Sequence, residues 1–474
     1  MPGTDVTETG HNPRTIALVV ATVMFMGILE GTVIATALPY MAHDFGVAPV
    51  GLSAGITAYL LVSAVFLPIS SWVAERLGTR RVLVGAIAGF ALSSLLCGLC
   101  MGLGSFVAAR ALQAMFSALM VPVGNLVLLR LTPKRDLVAI TAISTTPALI
   151  APVIGPPIGG LITAALGWRY IFFINLPLAM LGIALVWRLV PDLRRDDSPV
   201  FDRKGFVLLA AALSGIVYAL DRLGANPAAW PEPVVLGLVA LMLGGWAMRH
   251  MRRVVEPLVP LESLRHLTFR AIAFGPGFLM RLPFMGQSLL LPLFLQVGFG
   301  LTPFVTGMLL LAQNAGDLML KPIAGQALRR MGFRVALTLG TATMMAAMGA
   351  TALLQPDWPL WVLGAAMVAT GMARSIAFTG MMSLSFADVA RDELAGATVV
   401  NNLANALSAA AGISLAALLV NSSAGTGIAA LHDYRLAIVV LAGIGALAVP
   451  MFARLPRNAG AEVSGQRIFA ADLH

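Results

Sequence analysis

Long apolar runs alternate with short polar connections along almost the whole chain. About twenty apolar residues are needed to cross a bilayer as a helix. By that criterion the sequence predicts about fourteen spans, at 16–38, 51–74, 82–102, 105–129, 138–164, 170–190, 205–221, 233–249, 270–295, 303–327, 335–354, 358–385, 394–420 and 433–453. The first run, IALVVATVMFMGILEGTVIATAL, would measure about 34 Å at helical rise, against a hydrocarbon core of roughly 30 Å. The pattern predicts an all-α membrane protein with no sizeable soluble domain.

Composition agrees. Of 474 residues, 58% are hydrophobic and 11% charged, against about 25% charged in soluble domains. The formal net charge of +9 suggests nucleic acid only until the charges are located. Three Lys and Arg (Arg169, Arg222, Arg435) fall in external segments, four (Arg110, Arg281, Lys321, Arg374) inside spans, and the other 24 in short cytoplasmic segments. This is the positive-inside bias of a multi-pass protein, not a nucleic-acid footprint. It predicts both termini in the cytoplasm, and residues 1–13 are too polar, and the run after them too long, for a cleaved signal peptide. The only cysteines, Cys97 and Cys100, share an apolar span with no His or acid nearby and read as packing residues. No Walker loop, H-E-x-x-H or nucleophile elbow is present. The expectation is a non-enzyme without cofactor or metal, driven by an ion gradient.

The chain also repeats itself. SWVAERLGTRR (71–81) follows the second span and GQALRRMGFRV (325–335) the tenth, so that Arg76, Gly78 and Arg80 superpose on Arg330, Gly332 and Arg334 with one offset of 254. The same offset lays the first span on the ninth. The expected organisation is a six-span half (1–190), a linker with two extra spans (191–268) and a second six-span half with a short tail (269–474). Parallel repeats of this kind build many secondary transporters, with the substrate site at midplane between halves.

Only two acids lie deep within spans, Glu30 and Asp317. Charges in hydrocarbon must pair or line a wet cavity. Asp317 stands four residues before Lys321, the helical spacing for an ion pair, and Arg281 is a second possible partner. Asp317 is therefore either a structural pair or a proton site. Glu30 has no opposite charge on its own helix, and Arg110 lies at similar depth in the fourth span. Such a carboxyl can take a proton from one side and release it to the other. Arg281, Lys321, Gln287 and Arg374, with Phe25, Met26 and Phe284, are expected to line a central cavity; Met285, Phe294 and Met308 could extend that adaptable surface.

In the fifth span, Pro147, Pro152, Pro156 and Pro157 remove backbone donors, while Gly155, Gly159 and Gly160 leave a face smooth enough for another helix. This is a kinked packing helix, a hinge and seal between the halves, or both; Gly155, Pro156, Gly159 and Gly160 are its candidate hinge. In the turn after the second span, Glu75, Arg76, Gly78 and Arg80 form either a topology signal or a latch on the cytoplasmic helix ends.

These motifs together resemble the major facilitator superfamily, and within it the fourteen-helix drug:proton antiporters of the EmrB/QacA type. LEGTVIATALP (29–39) resembles that branch's first-helix motif, SWVAERLGTRR the superfamily's G-x-L-A-D-R-x-G-R-R loop, and RALQAMFSALMVP (110–122) the R-x-x-Q-G motif. GPPIGG (155–160) resembles the antiporter motif G-x-x-x-G-P-x-x-G-G, and WRYIFFINLP (168–177) the entry to helix six. The resemblance covers roughly residues 15–455. It implies that Glu30 is the proton-linked acid, that Arg110 assists it, that Glu75, Arg76, Gly78 and Arg80 gate the cytoplasmic side, and that the GPPIGG helix favours export. Glu30 replaces the usual Asp, Ser71 and Ala114 replace motif glycines, Ala151 replaces the first antiporter Gly, and Arg329 stands opposite Glu75 in the second half. The expectation is a proton-coupled exporter of amphipathic small molecules in a bacterial inner membrane, monomeric among its lipids. A lipid or glycolipid exporter of the same fold, and a non-transporting receptor or scaffold, are the alternatives.

Overall fold

The computed structural model describes residues 13–132, 136–194, 201–225, 230–254, 257–390, 393–424, 429–456 and 459–460. The expectations for the two termini lie outside these residues. Among the described residues every regular element is helical. Lipid offers the backbone no hydrogen-bond partner, so a spanning segment must satisfy its own amides.

The first half comprises α1 (Pro13–Val33), α2 (Leu38–Phe45), α3 (Ser53–Phe66), α4 (Ser70–Leu77), α5 (Thr79–Leu99), α6 (Leu103–Leu131), α7 (Leu137–Ala165), α8 (Tyr170–Phe173) and α9 (Asn175–Leu189). The extra pair is α10 (Arg203–Ala225) and α11 (Pro231–Met251). The second half comprises α12 (Leu267–Phe274), α13 (Pro276–Leu293), α14 (Pro303–Ala350), α15 (Leu360–Ser385), α16 (Leu394–Ala424), α17 (Leu431–Ala446) and α18 (Ala448–Ala453). Each expected run falls on helix. Among the described residues twelve segments are long and apolar enough to cross a membrane, and α7 adds the shorter apolar stretch Ile150–Ala165. One of the twelve, Pro303–Leu353, is two helices joined at Gly332, where φ is 74° and ψ 165°.

The repeat is visible in the backbone. Gly78, between α4 and α5, has φ 96°, and Gly332 occupies the same left-handed region. Both turns need a residue without Cβ, and at Gly78 a Cβ would also strike the Asp192 carboxylate. These two turns mark the basic end of the molecule.

Inside the first half, Ile16, Val20 and Met26 of α1 pack with Phe90, Val123 and Val127. The second half has its own cluster around Phe333, Met344, Met381 and Phe452. A larger cluster at the end opposite the basic one draws on both halves, including Leu29, Val33, Phe106, Trp168, Phe294, Leu309 and Tyr434. A fourth joins Ala64 and Val65 of α3 to Leu213 of α10 and to Val400 and Ala404 of α16. Helix α10 therefore touches one helix of each half as well as α11, which is the structural place of the extra pair.

Candidate functional site

Glu30 and Arg110 meet. Glu30 is 3% exposed on α1 and Arg110 1% exposed on α6, and Arg110 Nη1 donates to Glu30 Oε1. The counter-charge absent from α1 is supplied across the helix interface, so Glu30 is not a solitary carboxyl. Arg110 Nη1 also donates to Gln113 Oε1 at 2.6 Å, one turn along the same helix. Gln113 Nε2 in turn donates to Ser94 Oγ at 2.7 Å, and Asn175 Nδ2 reaches the same hydroxyl at 3.3 Å. The guanidinium lies 4.2 Å from the centroid of the Tyr59 ring, whose hydroxyl donates to Ser117 at 2.7 Å. This arrangement is a buried ion pair held from behind by a polar chain and from the side by a ring face. It is incompletely satisfied: Glu30 Oε2 and Arg110 Nε are buried without a hydrogen-bond partner among the described residues. The sequence motifs contain Gln113 and Asn175, but Tyr59 and Ser94 carry no signal of their own; each is an ordinary polar residue in an apolar span.

Asp317, half-buried on α14, pairs differently from expectation. Asp317 Oδ2 lies 3.6 Å from Arg374 Nη2, and neither Lys321 nor Arg281 is its partner. The cause is a close approach of α14 and α15: a Cβ at Gly316 would collide with the Val368 carbonyl, and one at Gly371 with the Gln313 carbonyl. That contact sets Arg374 beside Asp317. Arg281 is fully buried and donates to Asn401 Oδ1 at 3.0 Å and toward the Ile272 carbonyl at 3.4 Å, so it lines no open surface here. Lys321 is half-buried and has no ion pair among the described residues. Gln287 is buried, with Nε2 unpartnered among the described residues. Phe284 is half-buried, under the Arg374 guanidinium at 5.4 Å and against Phe378 at 4.9 Å. Phe25 is half-buried beside the shared cluster. Met26 and Phe294 are core residues rather than cavity residues, and Met308 is exposed on the helix surface.

Helix α7 forms a second contact between the halves, beside that of α3 with α16. A Cβ at Gly155 would strike Thr32 of α1, and one at Gly159 the Val33 carbonyl. Gly160 abuts the Pro303 carbonyl of α14, and Gly307 of α14 abuts the Pro156 carbonyl. Gln296 Nε2 adds a hydrogen bond to the Thr36 carbonyl at 3.1 Å. Pro156 has a further effect. A proline lacks the N–H that would bond the carbonyl four residues earlier, and that carbonyl belongs to Pro152. Asn314 of α14 donates to it at 2.7 Å, while Asn314 Oδ1 accepts from Arg374 Nη2 at 2.7 Å. A chain of contacts therefore runs from Asp317 through Arg374 and Asn314 into the glycine–proline helix of the other half.

At the basic end, Glu75 pairs with Arg130 at 2.5 Å. Asp192 accepts the Arg80 backbone N–H at 3.2 Å and pairs with Arg81 at 3.2 Å. Arg76 and Arg80 rest over Trp72 and Trp187, each at 5.5 Å. The expected four residues are together, but their partners Arg130 and Asp192 lie on segments distant in sequence. At the far end Asp44 accepts from Trp168 Nε1 at 2.8 Å and Arg169 Nη1 at 2.7 Å, tying the α1–α2 arm to the turn before α8. The Trp168 hydrogen bond, followed by that of Arg169, holds the Asp44 carboxyl below its usual value.

The sequence and the fold both have known counterparts. The family model described as Major Facilitator Superfamily matches residues 20–286 and 276–469. A protein of Enterobacter sp. (strain 638) named "Putative multidrug resistance protein MdtD" is 32% identical over 473 residues, covering 96% of this chain and 98% of its own. A protein of the same name from Klebsiella pneumoniae subsp. pneumoniae is 32% identical over 93% of this chain and 94% of its own. Among solved structures, a peptide transporter POT in complex with sulfate superposes with a TM-score of 0.67 at 13% identity, over 94% of this chain and 95% of that one. A point mutant of the nucleoside transporter NupG superposes with a TM-score of 0.63 at 12% identity, over 92% and 98%. With its paired six-helix halves, its left-handed glycines at matching turns and a family match running nearly end to end, this chain belongs to the Major Facilitator Superfamily.

Proposed function

We propose that the protein is a proton-coupled antiporter that exports amphipathic small molecules by alternating access, as the name of its MdtD relatives suggests for them. The observation that carries the reading is the Glu30–Arg110 pair, buried and with Glu30 Oε2 unfilled. A proton on Oε2 neutralises the carboxylate and leaves Arg110 buried without its counter-charge. A buried unpaired guanidinium is costly, so protonation favours a conformation in which Arg110 reaches water or a polar group of the substrate. Loss of the proton restores the pair and the conformation described here. Two states that differ in affinity for both proton and substrate are sufficient to couple them.

In the proposed cycle Glu30 is protonated from outside, the halves rock about midplane, and the proton leaves inward as substrate binds. Asp317 and Arg374 transmit the rearrangement to α7 through Asn314. Glu75 with Arg130, and Arg80 and Arg81 with Asp192, hold the basic ends of the first-half helices together as a cytoplasmic gate. The protein works as a monomer in the bacterial inner membrane with both termini inside. The test is dye efflux from proteoliposomes under an imposed pH gradient, comparing wild type with Glu30→Gln. Gradient-driven efflux should vanish in the variant while downhill leak of dye persists. Efflux with an unaltered pH dependence would remove Glu30 from the proton path.

A further inference from the structure

Helix α11 is the most peripheral long helix, and its two faces differ. The buried face carries Ala240 and Ala247, and Ala240 meets Gly215 of α10. The opposite face carries Val235, Leu238, Met242 and Trp246, each more than half exposed. These positions recur at intervals of three and four, so they form one stripe along the helix. Continuing that stripe at the basic end come Arg249, Arg252 and Arg253, all exposed. Gly245, Met248 and these three arginines line a recess of about 420 Å³. Among the described residues none of the three pairs with a carboxylate. Asp202, an acid beside the basic end of this helix, is already engaged by His250 at 2.8 Å and by the Gly205 N–H at 2.8 Å. Among the described residues Arg252 meets the Met248 sulfur, at 3.8 Å.

An apolar stripe about one leaflet long, ending around a recess in three guanidiniums that pair with no carboxylate among the described residues, has the profile of one kind of ligand. We propose that Gly245, Met248, Arg249, Arg252 and Arg253 bind the headgroup phosphate of an anionic phospholipid, whose acyl chain lies along Val235, Leu238, Met242 and Trp246. Guanidinium forks match phosphate oxygens bidentately, and basic pockets at the cytoplasmic boundary attract anionic headgroups. Gly245 leaves the space that a glycerol backbone fills between the stripe and the arginines. Since α11 packs on α10, and α10 on α3 and α16, a lipid held here would bear on a helix that touches both halves. The site is separate from Glu30, and its test does not depend on transport.

The experiment is native mass spectrometry of the delipidated full-length protein given phosphatidylglycerol, phosphatidylcholine or inorganic phosphate. Wild type should retain phosphatidylglycerol roughly tenfold more strongly than phosphatidylcholine, as expected for several basic groups at one headgroup. The variant Arg249→Ala/Arg252→Ala/Arg253→Ala should lose that preference to within about twofold, while Arg249→Lys/Arg252→Lys/Arg253→Lys keeps most of it. If the triple alanine variant does not elute as a single species, Arg252→Ala/Arg253→Ala carries the same comparison. A preference unchanged by the alanine variants, or no preference in wild type, would reduce the arginines to topology signals and overturn the proposal. So would displacement of phosphatidylglycerol by millimolar inorganic phosphate, which would identify a site for free anions.

Discussion

Asn314 offers the sharpest test of how the halves are held together. Its Nδ2 donates at 2.7 Å to the Pro152 carbonyl, which Pro156 has left without an intrahelical partner. Asn314→Ala removes this bond and orphans the carbonyl wherever α7 and α14 stay in contact. A net hydrogen bond is worth about 0.5–1.5 kcal/mol, and an orphaned buried acceptor about 1–3. The penalty falls mainly on the conformation described here, because parting the halves lets water reach the carbonyl. A shift of about 1 kcal/mol lowers the ratio of this conformation to its alternative roughly fivefold. Spin labels at Leu161 and Phe304, exposed residues flanking the α7–α14 contact, in a background without Cys97 and Cys100, would report that ratio as two distance populations. Pro156→Ala provides the internal control. It returns an N–H within reach of the Pro152 carbonyl, so Asn314→Ala in that background should shift the populations much less, a coupling of about 1 kcal/mol in a double-mutant cycle. Equal effects of Asn314→Ala with and without Pro156 would refute the account, and so would unchanged distances in the single variant.

Three other outcomes are expected. Gln113→Leu removes the acceptor behind Arg110 and the donor to Ser94; thermal unfolding in detergent should show a loss of about 1–3 kcal/mol together with a displaced pH midpoint of efflux, and a displaced melting temperature with an unmoved midpoint would make Gln113 a packing residue only. Gly160→Val drives a side chain into the Pro303 carbonyl; overpacking of about 1–3 kcal/mol should part the two labelled helices and cut efflux at least tenfold with normal membrane insertion, and Gly160→Ala should fall between. Asp44, held below its usual value by Trp168 and Arg169, contributes stability that is complete above the unfolded carboxylate value of about 4. That contribution is lost as pH falls through the lower folded value, so melting temperature plotted against pH should drop less steeply on the acid side in Asp44→Asn than in wild type.

The legible part of this protein is the part that depends on local pattern. Apolar run length places the helices because bilayer thickness and helical rise are fixed quantities. Gly78 and Gly332 announce their turns, and with them the repeat, because a left-handed residue between helices requires glycine wherever it occurs. Glu30, Arg110 and the GPPIGG helix stood out because an ion or a proline inside an apolar run is costly enough to need a reason.

What tertiary structure alone decided is who meets whom. Lys321 sits at the ideal helical spacing from Asp317, yet Arg374 takes the place because two glycines let α14 and α15 approach at that level. Arg281, equally well placed in depth, faces Asn401 instead. Arg130, Asp192 and Asn314 acquire their roles only when helices far apart in sequence are rotated into register. Depth in the membrane follows from counting residues along a single helix. The rotation of each helix about its axis, and the neighbour it then faces, follow from packing against all the others, which no single stretch of sequence records.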